Sequence, residues 1–270
     1  MEGAIFSILS VCRYPKGYML LYTEDTSHLR QGAIMAGKLY GIGVGPGEPG
    51  LLTIKAKEIL DGCEVIGYPV KKLGEGSVAL DIIKPSVDVS GKEIVEFLFS
   101  MDPDDSVREK CRAEAMAQMC QLLDKGKDIA MVTLGDVGVY STYMYINDEI
   151  RARGYETEVI PGIPSFCHGA ALAGLPLMIG NEGLAVVPVA KENSKLLATA
   201  LDSFDNVVVM KAFKSVPMIA SMMEERGIPL ANATVISNVG MEGQYIGPMV
   251  ADREYGYFTT VIIKKKVSKE

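Results

Sequence analysis

Three short loops combine glycine and proline in patterns that suit the binding of a small ligand. The first loop covers residues 41–49, with the sequence GIGVGPGEP, and the letters LLT follow shortly after it. Glycine lets the backbone approach a ligand closely, and proline holds the loop rigid. The registers that begin at Gly41 and Gly43 lack the third glycine of a GxGxxG dinucleotide loop, and no Gly-Lys-Ser/Thr follows as in a P-loop. A tight strand-to-helix turn without a ligand is the alternative.

The second loop, residues 134–141, leaves an apolar run and contains an aspartate, Asp136. Ligands of α/β sheets bind at the carboxyl ends of strands, so this carboxylate could accept hydrogen bonds from a ligand ammonium or hydroxyl group. It could equally cap the helix predicted to start near Tyr140. The residues alone leave both roles open.

The third loop, residues 160–167, has the sequence IPGIPSFC. Two prolines and a glycine stiffen it, and Ser165 is predicted to cap the next helix, so a rigid turn plus a cap would also explain the pattern. All three loops follow apolar strands of one α/β lobe. Because such strands run parallel, we expect the three loops to open on the same edge of the sheet.

Strands and helices alternate from Lys38 to the C-terminus and would position these loops. Apolar runs predict strands at 38–44, 64–68, 129–134, 156–160, 184–189, 207–210, 234–237 and 257–263. Helical spacing and end signals predict helices at 52–63, 107–122, 140–153, 165–173, 191–201 and 216–226. This alternation predicts an α/β fold whose sheets are covered on both faces.

The alternation restarts after a linker predicted at 177–183, which indicates two α/β lobes, residues 38–178 and 183–270. The cleft between them is the expected ligand site. Residues 1–37 have no clear period, and Met35 directly precedes the first strand, so we expect an extension that is poorly ordered or not native. A helix or strand packed on the body is the alternative.

Composition and charge narrow the class of partner. The 270 residues carry a formal net charge of −7, so the overall field does not attract nucleic acid or an anionic membrane. The five cysteines show no CxxC pair, and with only two histidines no zinc pattern can be written. We expect free, mostly buried thiols, no metal, no nucleic-acid or membrane partner, and a cytoplasmic location.

The three loops, taken in order, resemble those of one known family. The patterns GxGxGPGxPxLLTxKA from Gly41, LGDxxxYS from Leu134 and PGIPSF from Pro161 are similar to the tetrapyrrole methylases, which include uroporphyrinogen-III, precorrin and diphthine methyltransferases. The resemblance covers nearly everything from Lys38 onward.

Within the family, residues 38–47, 140–145 and 164–167 look closest to the branch that methylates C20 of precorrin-2 or cobalt-factor II during cobalamin synthesis. The resemblance implies the two-lobed tetrapyrrole methylase fold, a tetrapyrrole substrate and a homodimer. It also implies that S-adenosylmethionine, the methyl donor, lies in the cleft between the lobes. Two other functions stay open: methylation of another tetrapyrrole, such as uroporphyrinogen III or a later precorrin, and non-catalytic binding of adenosylmethionine.

Carried over position by position, the resemblance implies a set of donor contacts. They are Pro46, Gly135, Asp136, Val139, Pro164, Ser165, Met210, Val239 and Gly240. Two positions depart from the family pattern. Val137 stands where the family usually has proline, and His168-Gly169 stands where alanines are frequent, which puts loop rigidity and local packing in question.

The reaction that the resemblance implies does not require a nucleophilic side chain. The sulfonium methyl group is electrophilic and the C20 bridge is electron-rich, so alignment and exclusion of water are the expected contributions. Tyr140 and His168 are weak candidates for a catalytic base, although a lone histidine beside a helix start is more often structural. Lysines would meet the carboxylates of the acceptor, and the candidates are Lys71, Lys72, Lys191, Lys211 and Lys214.

Overall fold

A computed structural model describes residues 35–189 and 194–265. The extension predicted for residues 1–37 lies almost wholly outside the described residues, as do Lys191 and the start of the helix predicted there. The chain from Ala36 onward forms one compact unit, which contains two five-stranded sheets. The predicted α/β class with two sheets is therefore confirmed.

The first sheet is parallel throughout and has the strand order β3-β2-β4-β1-β5. Its strands are β1 (Leu39–Gly43), β2 (Val65–Val70), β3 (Glu93–Leu98), β4 (Ile129–Thr133) and β5 (Thr157–Ile160). Four helices lie along it: α1 (Ile54–Gly62), α2 (Val78–Ile83), α3 (Asp105–Asp124) and α4 (Tyr143–Ala152). Side chains alternate between the two faces of a strand, so α1 and α2 pack on one face and α3 and α4 on the other. Both faces are therefore buried, as parallel sheets require.

The second sheet is mixed, with the order β6-β7-β10-β8-β9. Its strands are β6 (Leu184–Pro188), β7 (Asn206–Met210), β8 (Ala233–Ser237), β9 (Tyr245–Pro248) and β10 (Thr259–Lys264). β6 and β7 are parallel, whereas β10 runs antiparallel to both β7 and β8. Helices α6 (Ser194–Ser203) and α7 (Val216–Glu224) cover one face.

Helix α5 (Ser165–Leu172) follows β5 in the chain but packs on the other face of the second sheet. Phe166 and Ala170 share a buried cluster there with Ile236 of β8. A Cβ atom on Gly169 would lie 2.6 Å from Ile236 Cδ1, closer than two carbon atoms can approach. The departure from alanine at this position therefore lets α5 approach the second sheet.

Several sequence predictions need correction. Helix α2 and strands β3 and β9 were not predicted; α2 has only six residues, β9 has only four, and β3 and β9 both lie at sheet edges. Helix α4 begins at Tyr143 and not at Tyr140, because Tyr140 has a left-handed backbone with φ of 53°. The thiols were expected to be mostly buried, but of the four described only Cys63 is buried and the others are half-buried.

Candidate active site

The three glycine-bearing loops meet at one edge of the first sheet. They follow β1, β4 and β5, which are adjacent and parallel in the order β4-β1-β5. A Cβ atom on Gly162 would lie 2.2 Å from the Gly135 carbonyl oxygen, and one on Gly43 would lie 2.5 Å from the Gly162 nitrogen. The loops pack backbone against backbone, so only glycine fits at these contacts. The prediction that all three open on the same edge is confirmed.

Asp136 ties the second loop to the third. Its Oδ1 accepts a hydrogen bond from the Gly138 N–H at 2.8 Å, and its Oδ2 accepts one from the Gly162 N–H at 2.9 Å. The helix-cap role considered for Asp136 is wrong, because α4 begins several residues later with Thr142 at its N-cap position. A carboxylate accepts up to about four hydrogen bonds, so Asp136 retains capacity to accept from a ligand.

The second sheet presents its own strand ends to the same region. Met210 is the last residue of β7, Val239 follows the end of β8, and Thr259 begins β10. Because β10 runs antiparallel to β7 and β8, its start and their ends lie at the same edge of the sheet. Strand ends from both sheets therefore face a common cleft.

This cleft has a volume of about 870 Å³, near the upper end of the roughly 300–1,000 Å³ that is usual for small-molecule sites. Eight of the nine predicted donor contacts line it: Pro46, Gly135, Asp136, Val139, Pro164, Ser165, Met210 and Val239. Gly240 does not. It packs against the first loop, where a Cβ atom on Gly47 would lie 2.8 Å from the Gly240 carbonyl oxygen.

The floor of the cleft has room for a ligand and polar groups that reach it. Gly135 has φ of 74°, and a Cβ atom built on it would come no nearer than 3.9 Å to the third loop, so glycine here keeps space open. Ser165 was predicted to cap α5, and this is wrong: Pro164 holds the N-cap position, and Ser165 is the first helical residue. Its hydroxyl lines the cleft instead.

The described non-glycine residues with left-handed backbone lie in the cleft or next to it. Among the described residues, three non-glycine residues have positive φ: Tyr140 at 53°, Lys211 at 60° and Asn238 at 50°. Tyr140 and Lys211 line the cleft, and Asn238 precedes Val239, which also lines it. Such conformations cost about 1–3 kcal/mol each and are typical of functional sites.

The three tyrosines between residues 140 and 145 lie in different surroundings: the core, the surface and the cleft. Tyr143 is fully buried in the core, and its ring occupies the space where a side chain on Gly41 would lie. Tyr145 is 70% exposed on α4 and does not line the cleft. Only Tyr140 of the three reaches the cleft, where burial raises the pKa of its phenol above the usual range.

His168 is not brought to the cleft. It is buried in α5, with Nε2 3.7 Å from Glu48 Oε2, a distance too long for a hydrogen bond. The structure therefore favours the structural role over the catalytic one for this residue. Lys71 and Lys211 do line the cleft, whereas Lys72 and Lys214 are not among its lining residues.

Sequence reasoning missed one wall of the cleft. The segment from Glu75 to Ala79 and the start of α2 line it, but no repeated spacing marks this short stretch. It also missed a hydroxyl pair in the cleft, Thr133 Oγ1 and Ser141 Oγ, which lie 3.3 Å apart. Thr133 ends an apolar strand, and the position of polar residues directly after such strands is the signal that could have identified it.

The first loop contains a set of glycines that was not considered when the dinucleotide motif was excluded. A third register, Gly45, Gly47 and Gly50, does fit the GxGxxG spacing, so spacing alone does not exclude that motif. In a dinucleotide loop the third glycine serves close helix packing. Here Gly50 lies in a short 3-10 turn before α1, and a Cβ atom on it would meet only Glu48 Oε1, at 3.9 Å. The first loop therefore matches the spacing of the dinucleotide motif, but Gly50 does not have the packing role of that motif's third glycine.

Neither a metal cluster nor a membrane-spanning helix is found in the described ranges, 35–189 and 194–265. Within them, no group of three or more histidine, cysteine, aspartate or glutamate residues is arranged to hold a metal ion. Within the same ranges, no helix combines the length and apolar character needed to cross a membrane.

Comparison with known proteins identifies the class. The family model for tetrapyrrole (corrin/porphyrin) methylases matches residues 38–252. The chain therefore belongs to the tetrapyrrole methylase family.

Three individual relatives are named as C(20)-methyltransferases. The chain is 38% identical to a probable cobalt-precorrin-2 C(20)-methyltransferase of Methanocaldococcus jannaschii over 64% of this chain and 72% of that protein. It is 30% identical to the cobalt-precorrin-2 C(20)-methyltransferase of Salmonella typhimurium, covering 86% of this chain and 98% of that one. It is also 30% identical to a precorrin-2 C(20)-methyltransferase of a Sinorhizobium species, over 84% and 95% of the two chains.

Among solved structures, the fold is similar to the uroporphyrin-III C-methyl transferase of Thermus thermophilus complexed with S-adenosylhomocysteine. The TM-score is 0.62 at 20% identity, and the match covers 84% of this chain and 97% of that one. At this identity the likeness supports the fold and not the substrate.

Proposed function

We propose that this protein transfers a methyl group from S-adenosylmethionine to C20 of precorrin-2 or of its cobalt complex, in cobalamin synthesis. The observation that carries the proposal is the convergence of three glycine-bearing loops and the ends of β7 and β8 on one cleft of about 870 Å³. The relatives at 30–38% identity support C20 as the methylated position.

The donor would lie against the three loops. Pro46, Gly135 and Val139 would shape its pocket, and Met210 and Val239 would contact it from the second sheet. The hydroxyl of Ser165, which lines the cleft, and the remaining acceptor capacity of Asp136 suit the amino and hydroxyl groups of an adenosyl amino acid. Bound there, the donor supplies an electrophilic methyl group on a sulfonium centre.

The protein's own part in the reaction is alignment and the exclusion of water. Tyr140 is a poor base, because burial raises the pKa of its phenol and keeps the proton on the oxygen near neutral pH. The neutral hydroxyl can instead donate a hydrogen bond to the acceptor. We infer that no side chain acts as a nucleophile.

The test is anaerobic incubation with adenosylmethionine and each acceptor in parallel: metal-free precorrin-2, cobalt-factor II, uroporphyrinogen III and a later precorrin. We expect one new methyl group on C20, located by NMR with a ¹³C-methyl donor. A methyl group at another carbon, or turnover of uroporphyrinogen III alone, would contradict the assignment. The metal-free and cobalt-loaded reactions identify the form that this protein uses.

A non-catalytic role predicts a different result. If the protein only binds adenosylmethionine, the labelled methyl group would stay on adenosylmethionine in a single-turnover experiment with enzyme in excess of acceptor. We expect transfer of label to the macrocycle instead.

We further propose that the protein is a cytoplasmic homodimer, as the family resemblance implies. Leu172 ends α5, and Met178 and Ile179 follow it; all three are exposed apolar side chains that suit a subunit contact. Sedimentation equilibrium of the wild type and of Met178→Glu tests this; we expect a dimer that the glutamate weakens, and a monomeric wild type would overturn it.

A further inference from the structure

Two lysine–tyrosine pairs span the cleft from one sheet to the other. Lys71 follows β2 of the first sheet, and its Nζ lies 5.6 Å from the ring centroid of Tyr257, just before β10 of the second sheet. Lys211 follows β7 of the second sheet, and its Nζ lies 5.1 Å from the ring of Tyr140 in the second loop. Each pair takes one partner from each sheet, and all four residues line the cleft.

Neither lysine is committed to a carboxylate. Among the described residues, Lys57 and Lys84 on the surface pair with neighbouring aspartates, whereas Lys71 and Lys211 have only their aromatic contacts in the described part of the chain. An exposed cation–π contact is weaker than a charge-assisted hydrogen bond to a carboxylate. A ligand carboxylate that reached the cleft would therefore displace the ring as the partner of each ammonium group.

The acidic residues of the cleft form no described ion pair with Lys71 or Lys211, so both lysines can bind a ligand carboxylate. They are Glu75, Asp81 and Asp136. Asp81 accepts from Lys84 at 2.7 Å, and both oxygens of Asp136 accept from loop N–H groups. Glu75 is thus the one of these three without a described ion pair or side-chain hydrogen bond.

Beside Lys71 lies a cluster of aromatic rings, Phe213, Tyr257 and Phe258, which we call the aromatic cluster. The Tyr257 ring lies 5.2 Å from that of Phe213 and 5.1 Å from that of Phe258, and Tyr257 is 60% exposed. All three rings line the cleft, where they could stack against a flat conjugated ligand.

The backbone that carries Tyr257 and Phe258 is anchored. The Gly256 N–H donates to Ser237 Oγ at 3.0 Å, and the Thr259 hydroxyl donates to the Gly256 carbonyl at 2.6 Å. Ser237 and Thr259 are both buried. These two rings therefore lie on a segment fixed to β8 and β10, so little ordering of them is needed when a ligand binds.

We propose that Lys71 and Lys211 bind carboxylates of the tetrapyrrole acceptor, that Tyr257 and Tyr140 hold the two lysines in position before binding, and that the macrocycle lies against the aromatic cluster. This deepens the proposed function and rests on it. A ligand with carboxylates on opposite edges would engage one lysine from each sheet and so be oriented in the cleft.

The test measures acceptor-site binding apart from turnover. The probe is uroporphyrin III, an unreactive porphyrin with acetate and propionate side chains, titrated by its own fluorescence into the full-length protein. We expect Lys71→Gln and Lys211→Gln each to weaken binding roughly tenfold, the loss of one charge-assisted hydrogen bond. Lys71→Arg and Lys211→Arg, which keep the charge, should restore most of it.

The matched control is Lys72→Gln, which removes the neighbouring lysine that does not line the cleft. It should bind uroporphyrin III as the wild type does. Adenosylmethionine affinity, measured by calorimetry, should stay unchanged in Lys71→Gln, which shows that the fold and the donor site are intact. If both glutamine variants bind the porphyrin like Lys72→Gln, or if the wild type binds none, the proposal is overturned.

Turnover separates this proposal from the proposed function. With the natural acceptor, Lys71→Gln should raise KM for the acceptor roughly tenfold and leave kcat nearly unchanged, because the contact is made in the ground state as well as the transition state. Porphyrin binding that depends on both lysines, without methylation of C20, would contradict the proposed function and leave the carboxylate site standing.

Discussion

At the scale of single residues, the donor side of the cleft depends on groups that hold the loops together. Gly43 and Gly162 allow backbone contacts that no other residue permits, and the carboxylate of Asp136 joins two of the loops through hydrogen bonds. Asp136 is therefore a structural tie as well as a proposed ligand contact. Its two roles can be measured separately.

Replacing Asp136 with asparagine should both destabilise the fold and weaken the binding of adenosylmethionine. The amide keeps one acceptor oxygen but presents an NH2 group to the second glycine N–H, so one hydrogen bond is lost. We expect the free energy of unfolding to fall by roughly 1–3 kcal/mol. Adenosylmethionine binding should weaken roughly tenfold, which corresponds to about 1.4 kcal/mol. Urea unfolding and calorimetry measure the two effects. Glu109→Gln, on the exposed side of α3, is the control and should change neither.

At the scale of elements, the third loop depends on the position of the strand before it. Glu158 of β5 accepts a hydrogen bond from Lys38 at 2.8 Å and another from Lys55 of α1. These two ammonium groups lower the pKa of Glu158 to about 2 from a usual value of 4.5. The ion pairs link β5 to the chain before β1 and to α1, and they are strongest while Glu158 is ionised.

The pH dependence of stability follows from this shift. Because the folded-state pKa is lowered, the stabilisation is fully present above about pH 4.5 and is lost as the pH falls towards about 2. Glu158→Gln should be less stable than the wild type near neutral pH, and the difference should shrink steadily through that acid range. Urea unfolding at several pH values measures it, with Glu114→Gln as the control. A difference independent of pH would contradict the ion-pair explanation.

Helix α5 offers a second prediction at this scale. Gly169→Ala should destabilise the protein by about 1–3 kcal/mol, because the new methyl group would overlap Ile236 of β8. The loss should be smaller in an Ile236→Ala background, where the Cδ1 and Cγ2 atoms, each 2.6 Å from the added methyl carbon, are both absent. A thermodynamic cycle of the two substitutions, measured by chemical unfolding, gives the coupling. Additive effects would show that α5 can shift away from the sheet.

At the scale of the whole molecule, the cleft belongs to both sheets. Its lining comes from loops after β1, β4 and β5 on one side and from β7, β8 and β10 on the other. A ligand held between them is bound only when both sheets are folded. Binding should therefore stabilise the two sheets together.

Adenosylmethionine at a hundred times its dissociation constant should raise the free energy of unfolding by about 2.7 kcal/mol. Differential scanning calorimetry should show the whole transition moving to higher temperature. Free methionine at the same concentration should have no effect. Movement of only one part of a split transition would mean that the donor contacts one sheet alone.

Much of the fold could be predicted from the order of residues along the chain. Apolar runs such as 129–134 indicate buried parallel strands, and glycine and proline after them mark the loops, because these signals depend only on neighbouring residues. The edge strands β3 and β9, the six-residue α2 and the start of α4 were missed. Helix α2 and strand β9 are short, and β3 and β9 lie at sheet edges, where packing against the rest of the sheet stabilises a strand more than local preference does.

The sequence by itself predicted the family and the positions of the three loops, and eight of the nine donor contacts that it predicted line the cleft. Only the tertiary structure decided that Asp136 joins two loops, that Ser165 leaves the cap to Pro164, and that His168 is buried away from the cleft. It also paired Lys71 with Tyr257 and Lys211 with Tyr140, residues far apart in the chain. The physical reason is range: backbone preferences act over a few residues, whereas hydrogen-bond partners and ring contacts depend on which distant segments the packing of two sheets brings together.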